Sequence, residues 1–207
     1  MTLLTIFVSV VVVSHCSSIN GDNNIEKYIS RKCELNNGDK YFMRNNFLLI
    51  NSCLTVYVNL KSSEDLYTHV CEKFGEYTCS EKLLTEFSKC LVQEEMYLTD
   101  FILSNKNKTT DQACGSKEAF ISNADTFVNS ACVKNNKFLH TCKSCFKKLN
   151  LNFNDDLVFT KPLVCGLLQE WKNCMEKHLL EHCETNELEL VRNGLETFLY
   201  NCNSDKL

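Results

Sequence analysis

Residues 161–183, KPLVCGLLQEWKNCMEKHLLEHC, carry a strong helical pattern near the carboxyl end of the chain. On a helical wheel of about 100° per residue, its apolar side chains lie within about 60° of one direction. Most of its charged side chains lie on the opposite side. The proline falls in what would be the first helical turn, where proline is tolerated. The stretch therefore predicts one long amphipathic helix with a buried apolar stripe.

Three cysteines on this helix predict how it is attached to its neighbours. Cys165 and Cys183 lie on one flank of the apolar stripe, and Cys174 lies on the other. Cys174 cannot bond to either of them, because nine residues of helix rise about 13 Å and a disulfide needs Cα atoms within about 7 Å. A turn after Cys183, followed by an antiparallel last helix, would bring Cys165 level with Cys202. We therefore predict a disulfide between Cys165 and Cys202.

The composition of the whole chain agrees with a helical, exported protein. It has 207 residues, 14 cysteines, one proline and six glycines. So few turn-forming residues argue against sandwiches and barrels, and so many cysteines favour an oxidising compartment. Apolar residues recur at helical spacing almost throughout, which predicts an all-α, disulfide-stapled bundle of helical hairpins with about 7–8 helices. The net charge of −4 offers no basic surface for nucleic acid.

The amino terminus carries an apolar run, LLTIFVSVVVV at residues 3–13, of the length of a signal peptide. We predict a signal peptide over residues 1–18, cleaved after Cys16 or Ser18, and a single cysteine-rich helical domain over residues 19–207. No later stretch is apolar enough to span a membrane. The sequon at Asn107 lies in a polar segment, residues 104–112, for which we predict a surface loop and N-glycosylation.

The remaining helices follow from the same periodicity. A capping box at Thr78 and Glu81 predicts a long helix through Phe101, which would end before the sequon loop. Two earlier helices are predicted around residues 25–33 and 47–58, and a third around residues 66–74.

The cysteines are predicted to form structural disulfides, although their spacing fixes few pairs. Cys71 could bond to Cys53 across one turn or to Cys79 across another. Removal of Cys16 with the signal peptide would leave an odd number, and we predict that Cys33 is the unpaired one. The pair in CKSC, residues 142–145, has redox or zinc-knuckle spacing, but no βαβ unit or second pair accompanies it, so we predict bonds to other partners. The predicted disulfide-forming residues are Cys53, Cys71, Cys79, Cys90, Cys114, Cys132, Cys142, Cys165, Cys174, Cys183 and Cys202.

One motif could carry catalysis. His178, Glu181 and His182 form the order H-x-x-E-H of one class of zinc hydrolases. Both histidines lie on the apolar side of the wheel, and no third ligand is evident nearby. We interpret them as core-facing structural histidines and keep the zinc hydrolase as a less favoured alternative. No metal, cofactor or catalytic residue is otherwise predicted, so we expect a protein that is not an enzyme.

Four stretches resemble the insect haemolymph glycoprotein family named for its 27 kDa mass. They are SCLTVYVNL (residues 52–60), CEKFGEYTC (71–79), KCLVQEE (89–95) and the cysteine frame of residues 165–202. The resemblance implies a helical, cysteine-rich protein secreted into body fluid, with no established activity. The expected function is therefore that of a secreted glycoprotein that binds an unknown protein partner. The alternative is a carrier of a small hydrophobic ligand, since 13 phenylalanines and seven tyrosines could line a cavity.

Overall fold

The computed structural model describes residues 23–42, 44–46, 62–72, 79–130, 137–149, 153–154, 156–181, 192–194, 196–197 and 199–203. The fold is all-α, as predicted, and no strand occurs in these ranges. The predicted signal peptide and the predicted helix at residues 47–58 lie outside them.

The α-helices are numbered here in chain order. They are α1 (Asn23–Leu35), α2 (Ser63–Tyr67), α3 (Cys79–Ser88), α4 (Tyr97–Cys114), α5 (Lys117–Asn129), α6 (Lys137–Lys148) and α7 (Lys161–Leu180). A π-helical turn, Thr68–Glu72, continues α2, and 3₁₀ turns form at Gln93–Glu95 and Tyr200–Cys202.

Helix α7 has the form that residues 161–183 predict. Pro162 lies in its first turn, and Trp171, Met175 and Leu179 are buried at 5%, 0% and 1% exposure. The buried stripe packs where α7 meets α6 and the Tyr200–Cys202 turn.

The predicted long helix from Thr78 to Phe101 is wrong, because the chain bends between Ser88 and Tyr97. Two long-range partners hold that bend: Cys90 is bonded to Cys33, and Glu95 contacts Lys32. Helical periodicity carries no information about such partners. The prediction of a continuous helix therefore failed where tertiary contacts stop it.

The predicted loop at residues 104–112 is also wrong, because α4 runs through it to Cys114. The buried face of α4 consists of Leu98, Phe101, Asn105, Thr109 and Ala113. These positions have helical spacing, but two of them are polar and interrupt the apolar pattern. One of the polar positions binds the carboxyl-terminal segment: Asn201 donates to the side-chain oxygen of Asn105 at 3.0 Å.

The core contains two described apolar clusters. One joins α2 and its π-helical turn to α4 and α5, through Leu66, Val70, Ala113, Phe120 and Ala124. The other lies under α1 and contains Cys33, Phe42 and Cys90, with Ile29, Leu83 and Phe87 packed against it.

Disulfides connect these packed helices at four described places. Cys165 is bonded to Cys202, the pair predicted from the sequence, and Cys145 is bonded to Cys174. Each of these bridges ties α7 to another part of the chain. The remaining described pairs are Cys33–Cys90 and Cys71–Cys114.

Two pairing predictions need correction. Cys71 is bonded to Cys114 rather than to Cys53 or Cys79, because α4 extends far enough to place its last residue beside the π-helical turn. Cys33 is not free, since it lies on the buried face of α1 and is bonded to Cys90. Cys53, Cys132, Cys183 and the side chain of Cys79 lie outside the described part of the chain.

Candidate functional site

Helix α1 has two faces with different roles. Tyr28 and Cys33 lie on the inner face, at 8% and 0% exposure. Lys27 and Arg31, four residues apart, lie on the exposed outer face. Because the inner face is fixed by core contacts, the side of the molecule on which the outer cations lie is fixed as well.

The chain reverses direction directly after α1. Asn37 adopts a left-handed conformation with φ of 61°, and the Gly38 N–H donates to the carbonyl oxygen of Cys33 at 2.7 Å. A Cβ atom on Gly38 would lie 2.8 Å from the sulfur of Cys90, so any other residue would have to displace the disulfide or the backbone beside it. Phe42 then packs into the core, 5.7 Å from the ring of Phe87 between centroids. The reversal therefore lays the following segment beside the outer face of α1.

A buried ion pair fixes α1 from the inside. The Lys32 ammonium lies 2.5 Å from Oε1 of Glu95, and the two side chains are 10% and 0% exposed. The same carboxylate accepts hydrogen bonds from the backbone N–H groups of Phe159 at 2.7 Å and Val92 at 3.3 Å. A buried carboxylate with a cation and two N–H donors is well satisfied, so the pair can persist in the core.

Aromatic side chains surround this ion pair. Lys32 also donates to the Tyr28 hydroxyl at 2.9 Å and to the Leu157 carbonyl at 3.0 Å. The Tyr28 hydroxyl donates to the same carbonyl at 2.8 Å. Tyr97 donates to the Phe159 carbonyl at 3.0 Å, and burial together with the charge of Glu95 raises the pKa of Tyr97 to about 12. This cluster joins α1, the 93–95 turn and the 157–159 connection into one unit.

On the outer side, α1 and the returning segment border an open groove of about 690 Å³. The groove carries four cationic side chains and one carboxylate, together with a serine and a tyrosine. Its lining residues are Lys27, Ser30, Arg31, Glu34, Lys40, Tyr41 and Arg44.

The charge of the groove is opposite to that of the rest of the chain. Four cations and one carboxylate give the groove +3. The whole sequence carries −4, which leaves −7 for the remainder. Arg31 pairs with Glu34 at 3.2 Å, with both side chains about half exposed, and such exposed pairs contribute little stability. Lys40 lies 5.1 Å from the centroid of the Tyr41 ring, which is 52% exposed. The arrangement is suited to recognition of an anionic partner.

The predicted glycosylation site lies on a helix and not in a loop. Asn107 is exposed on α4, whereas Thr109, the third residue of the sequon, is 3% exposed. Glycosylation at Asn107 stays a prediction, and it would have to occur before Thr109 is buried by folding. The neighbouring Lys108 lies 5.0 Å from the ring centroid of Tyr200.

The structure tests the prediction for CKSC, residues 142–145, but not the one for the H-x-x-E-H motif. Cys145 is bonded to Cys174, and Cys142 is also disulfide-bonded. The CKSC cysteines are therefore structural and have separate partners, as predicted. In the H-x-x-E-H motif, Glu181 is exposed directly after α7. His182 and the side chain of His178 lie outside the described part of the chain. Among described residues, no three or more His, Cys, Asp or Glu side chains form a metal-binding group. The zinc hydrolase stays a prediction that stoichiometric zinc after dialysis would support.

Sequence reasoning missed both the ion pair and the groove. The sequence did contain a signal for the ion pair. Lys32 lies on the same helical face as Tyr28 and Ile29, where a lysine needs a buried partner. The signal for the groove was a repeated spacing of two cations four residues apart. It occurs at Lys27 and Arg31 and again at Lys40 and Arg44.

None of the described helices combines the length and apolarity needed to cross a membrane. No known protein family, no curated protein and no solved structure matches the chain. The resemblance to the haemolymph glycoproteins therefore stays a prediction. The carrier alternative does too; lipid that co-purifies with the protein would support it, and a filled, dry core would exclude it.

Proposed function

We propose that the chain is a secreted, disulfide-stapled glycoprotein of the haemolymph type that acts without catalysis, by binding a protein partner at its surface. The basic groove beside α1 is the observation that carries the proposal. It presents exposed cations on a backbone that the Cys33–Cys90 disulfide and the Lys32–Glu95 ion pair hold in place. A rigid surface loses little conformational entropy on binding, and more of the contact energy then appears as affinity.

The cross-links support an extracellular location for this activity. Four described disulfides join segments 29 to 57 residues apart in sequence, and structural disulfides persist mainly in exported proteins. A secreted binding protein must stay folded without the chaperones of the cell interior. Long-range covalent links between helices serve that requirement.

The proposal is tested by expression of the full chain in secreting insect cells. We expect a disulfide-bonded protein in the medium, shortened by the amino-terminal segment and bearing a glycan at Asn107. Retention inside the cell with reduced cysteines would contradict the proposal.

The binding part of the proposal is tested by a pull-down, in which the secreted protein is immobilised on a support and incubated with body fluid. We expect a partner that the wild type and Lys177→Glu retain and that the Lys27→Glu/Arg44→Glu variant loses. Lys177 is exposed on α7 and does not line the groove, so it controls for charge reversal elsewhere. Equal recovery by all three proteins would show that the groove is not the binding surface.

A further inference from the structure

We infer that the basic groove binds an acidic segment of its partner in an extended conformation, with carboxylates on alternate residues. This inference rests on the proposed function and specifies the chemistry of the partner. It follows from the spacing of the cations, from the one carboxylate among them, and from the exposed aromatic ring.

The cations are arranged as two pairs of equal sequence spacing. Lys27 and Arg31 lie on α1, and Lys40 and Arg44 lie on the returning segment. That segment is also helical around residue 42, where Asn45 N–H donates to the carbonyl of Tyr41 at 2.7 Å. Four residues of helix advance about 6 Å. The α1 side of the groove therefore presents two cations about one helical turn apart, and the returning segment presents a second pair of the same sequence spacing, with Lys40 in the turn that precedes its helical residues.

An extended peptide has the matching repeat. Its residues advance about 3.3 Å each, and alternate side chains point to the same side, so alternate carboxylates are about 6.6 Å apart. Two acidic residues separated by one other residue can therefore meet Lys27 and Arg31 on the α1 side, where the partner shares Arg31 with the half-exposed carboxylate of Glu34. Arginine adds selectivity, because its guanidinium can form two parallel hydrogen bonds with a carboxylate.

The groove is less suited to a uniformly anionic polymer such as a sulfated polysaccharide. Glu34 lies among the cations, and it would repel a charge placed next to it. A peptide can avoid that repulsion with an uncharged residue or a backbone N–H opposite Glu34. The exposed ring of Tyr41, at 52% exposure, offers apolar contact to a side chain between the acidic residues. These features favour a protein segment as the occupant.

The inference is tested by fluorescence anisotropy on the full-length secreted, oxidised protein. The first probe is a labelled peptide with aspartate at alternate positions and serine or leucine between them. The second has the same composition with its aspartates contiguous, and the third has asparagine in place of aspartate. We expect the alternating peptide to bind about tenfold more tightly than the asparagine peptide and more tightly than the contiguous one. Its binding should weaken as salt is raised.

Matched variants locate the binding. Lys27→Gln/Arg44→Gln should weaken the alternating peptide about five- to tenfold, because exposed charge pairs each contribute a factor of a few. Lys177→Gln, which removes a charge outside the groove, should bind like the wild type. Circular dichroism and non-reducing electrophoresis of each variant confirm that folding and cross-links are intact.

The inference would be overturned by no measurable peptide binding, by equal binding of the alternating and contiguous peptides, or by an unchanged affinity in the double groove variant. Displacement by heparin at a lower charge concentration than the peptide would assign the groove to a polysaccharide instead. The peptide assay needs only the folded, oxidised full-length chain, which can also be refolded and oxidised in vitro, so it does not depend on export. Failure of secretion would thus contradict the proposed function alone, and loss of peptide binding with a retained body-fluid partner would contradict this inference alone.

Discussion

Replacement of Lys32 by methionine tests the buried cluster behind the groove. Methionine keeps most of the volume of the aliphatic stem and removes the charge. The carboxylate of Glu95, 0% exposed, would then be a buried anion without its cation. Removal of one partner from a buried ion pair costs about 3–5 kcal/mol. Because two backbone N–H groups still donate to Glu95, we expect the lower end, about 3 kcal/mol.

The assay is urea unfolding of the oxidised protein, followed by circular dichroism. With a slope of about 2 kcal/mol per M, a loss of about 3 kcal/mol lowers the urea midpoint by about 1.5 M. Lys177→Met, at an exposed position of α7, is the control and should change the unfolding free energy by less than about 0.5 kcal/mol.

A double-mutant cycle separates the ion pair from general damage to the core. Glu95→Gln removes the negative charge and keeps an oxygen for the Phe159 N–H. The Lys32→Met/Glu95→Gln protein contains neither charge, so it should lose at least about 1 kcal/mol less than the sum of the two single variants. A cost below about 1 kcal/mol for Lys32→Met, or strictly additive losses, would show that Lys32 and Glu95 are not a buried, coupled ion pair.

Three further predictions concern other parts of the fold. Gly38→Ala should destabilise the protein by about 1–3 kcal/mol, because its Cβ would lie 2.8 Å from a cystine sulfur. The matched Gly166→Ala, which meets no atom within 4 Å inside α7, should stabilise it by up to about 1 kcal/mol in the same urea assay. Replacement of Cys165 and Cys202 by serine opens a link across 37 residues and should cost up to about 4 kcal/mol by chain entropy; an unchanged midpoint would contradict that link. The raised pKa of Tyr97, about 12 against 10.0, means that the unfolded phenol ionises first. Its contribution to stability should thus be complete below pH 10 and decline as the pH rises towards 12. Tyr97→Phe should make that decline shallower in urea midpoints measured against pH.

The parts of the fold that the sequence predicts are those encoded by local periodicity. Helix α7 and its bond from Cys165 to Cys202 follow from one amphipathic stretch and from the turn that the sequence predicts after Cys183. The bend near Cys90 and the partner of Cys33 depend on contacts 57 residues apart, which single-sequence periodicity does not contain.

The candidate site shows the same division. The cations at Lys27, Arg31, Lys40 and Arg44 are visible in the sequence as two evenly spaced pairs. That they border one groove depends on the reversal at Gly38. The tight fit of Gly38 against Cys90 becomes apparent only when the partner of Cys33 is known. The cationic side chains of the site can therefore be recognised from the local sequence, whereas their proximity depends on the tertiary structure.

We conclude that oxidised bridges between distant parts of the chain hold the molecule in shape. Mass spectrometry of peptides from the non-reduced, freshly secreted protein is the decisive test. We expect linked peptides that join Cys33 to Cys90, Cys71 to Cys114, Cys145 to Cys174 and Cys165 to Cys202. Recovery of these eight cysteines as reactive thiols, or in bonds to near neighbours in sequence, would contradict the account.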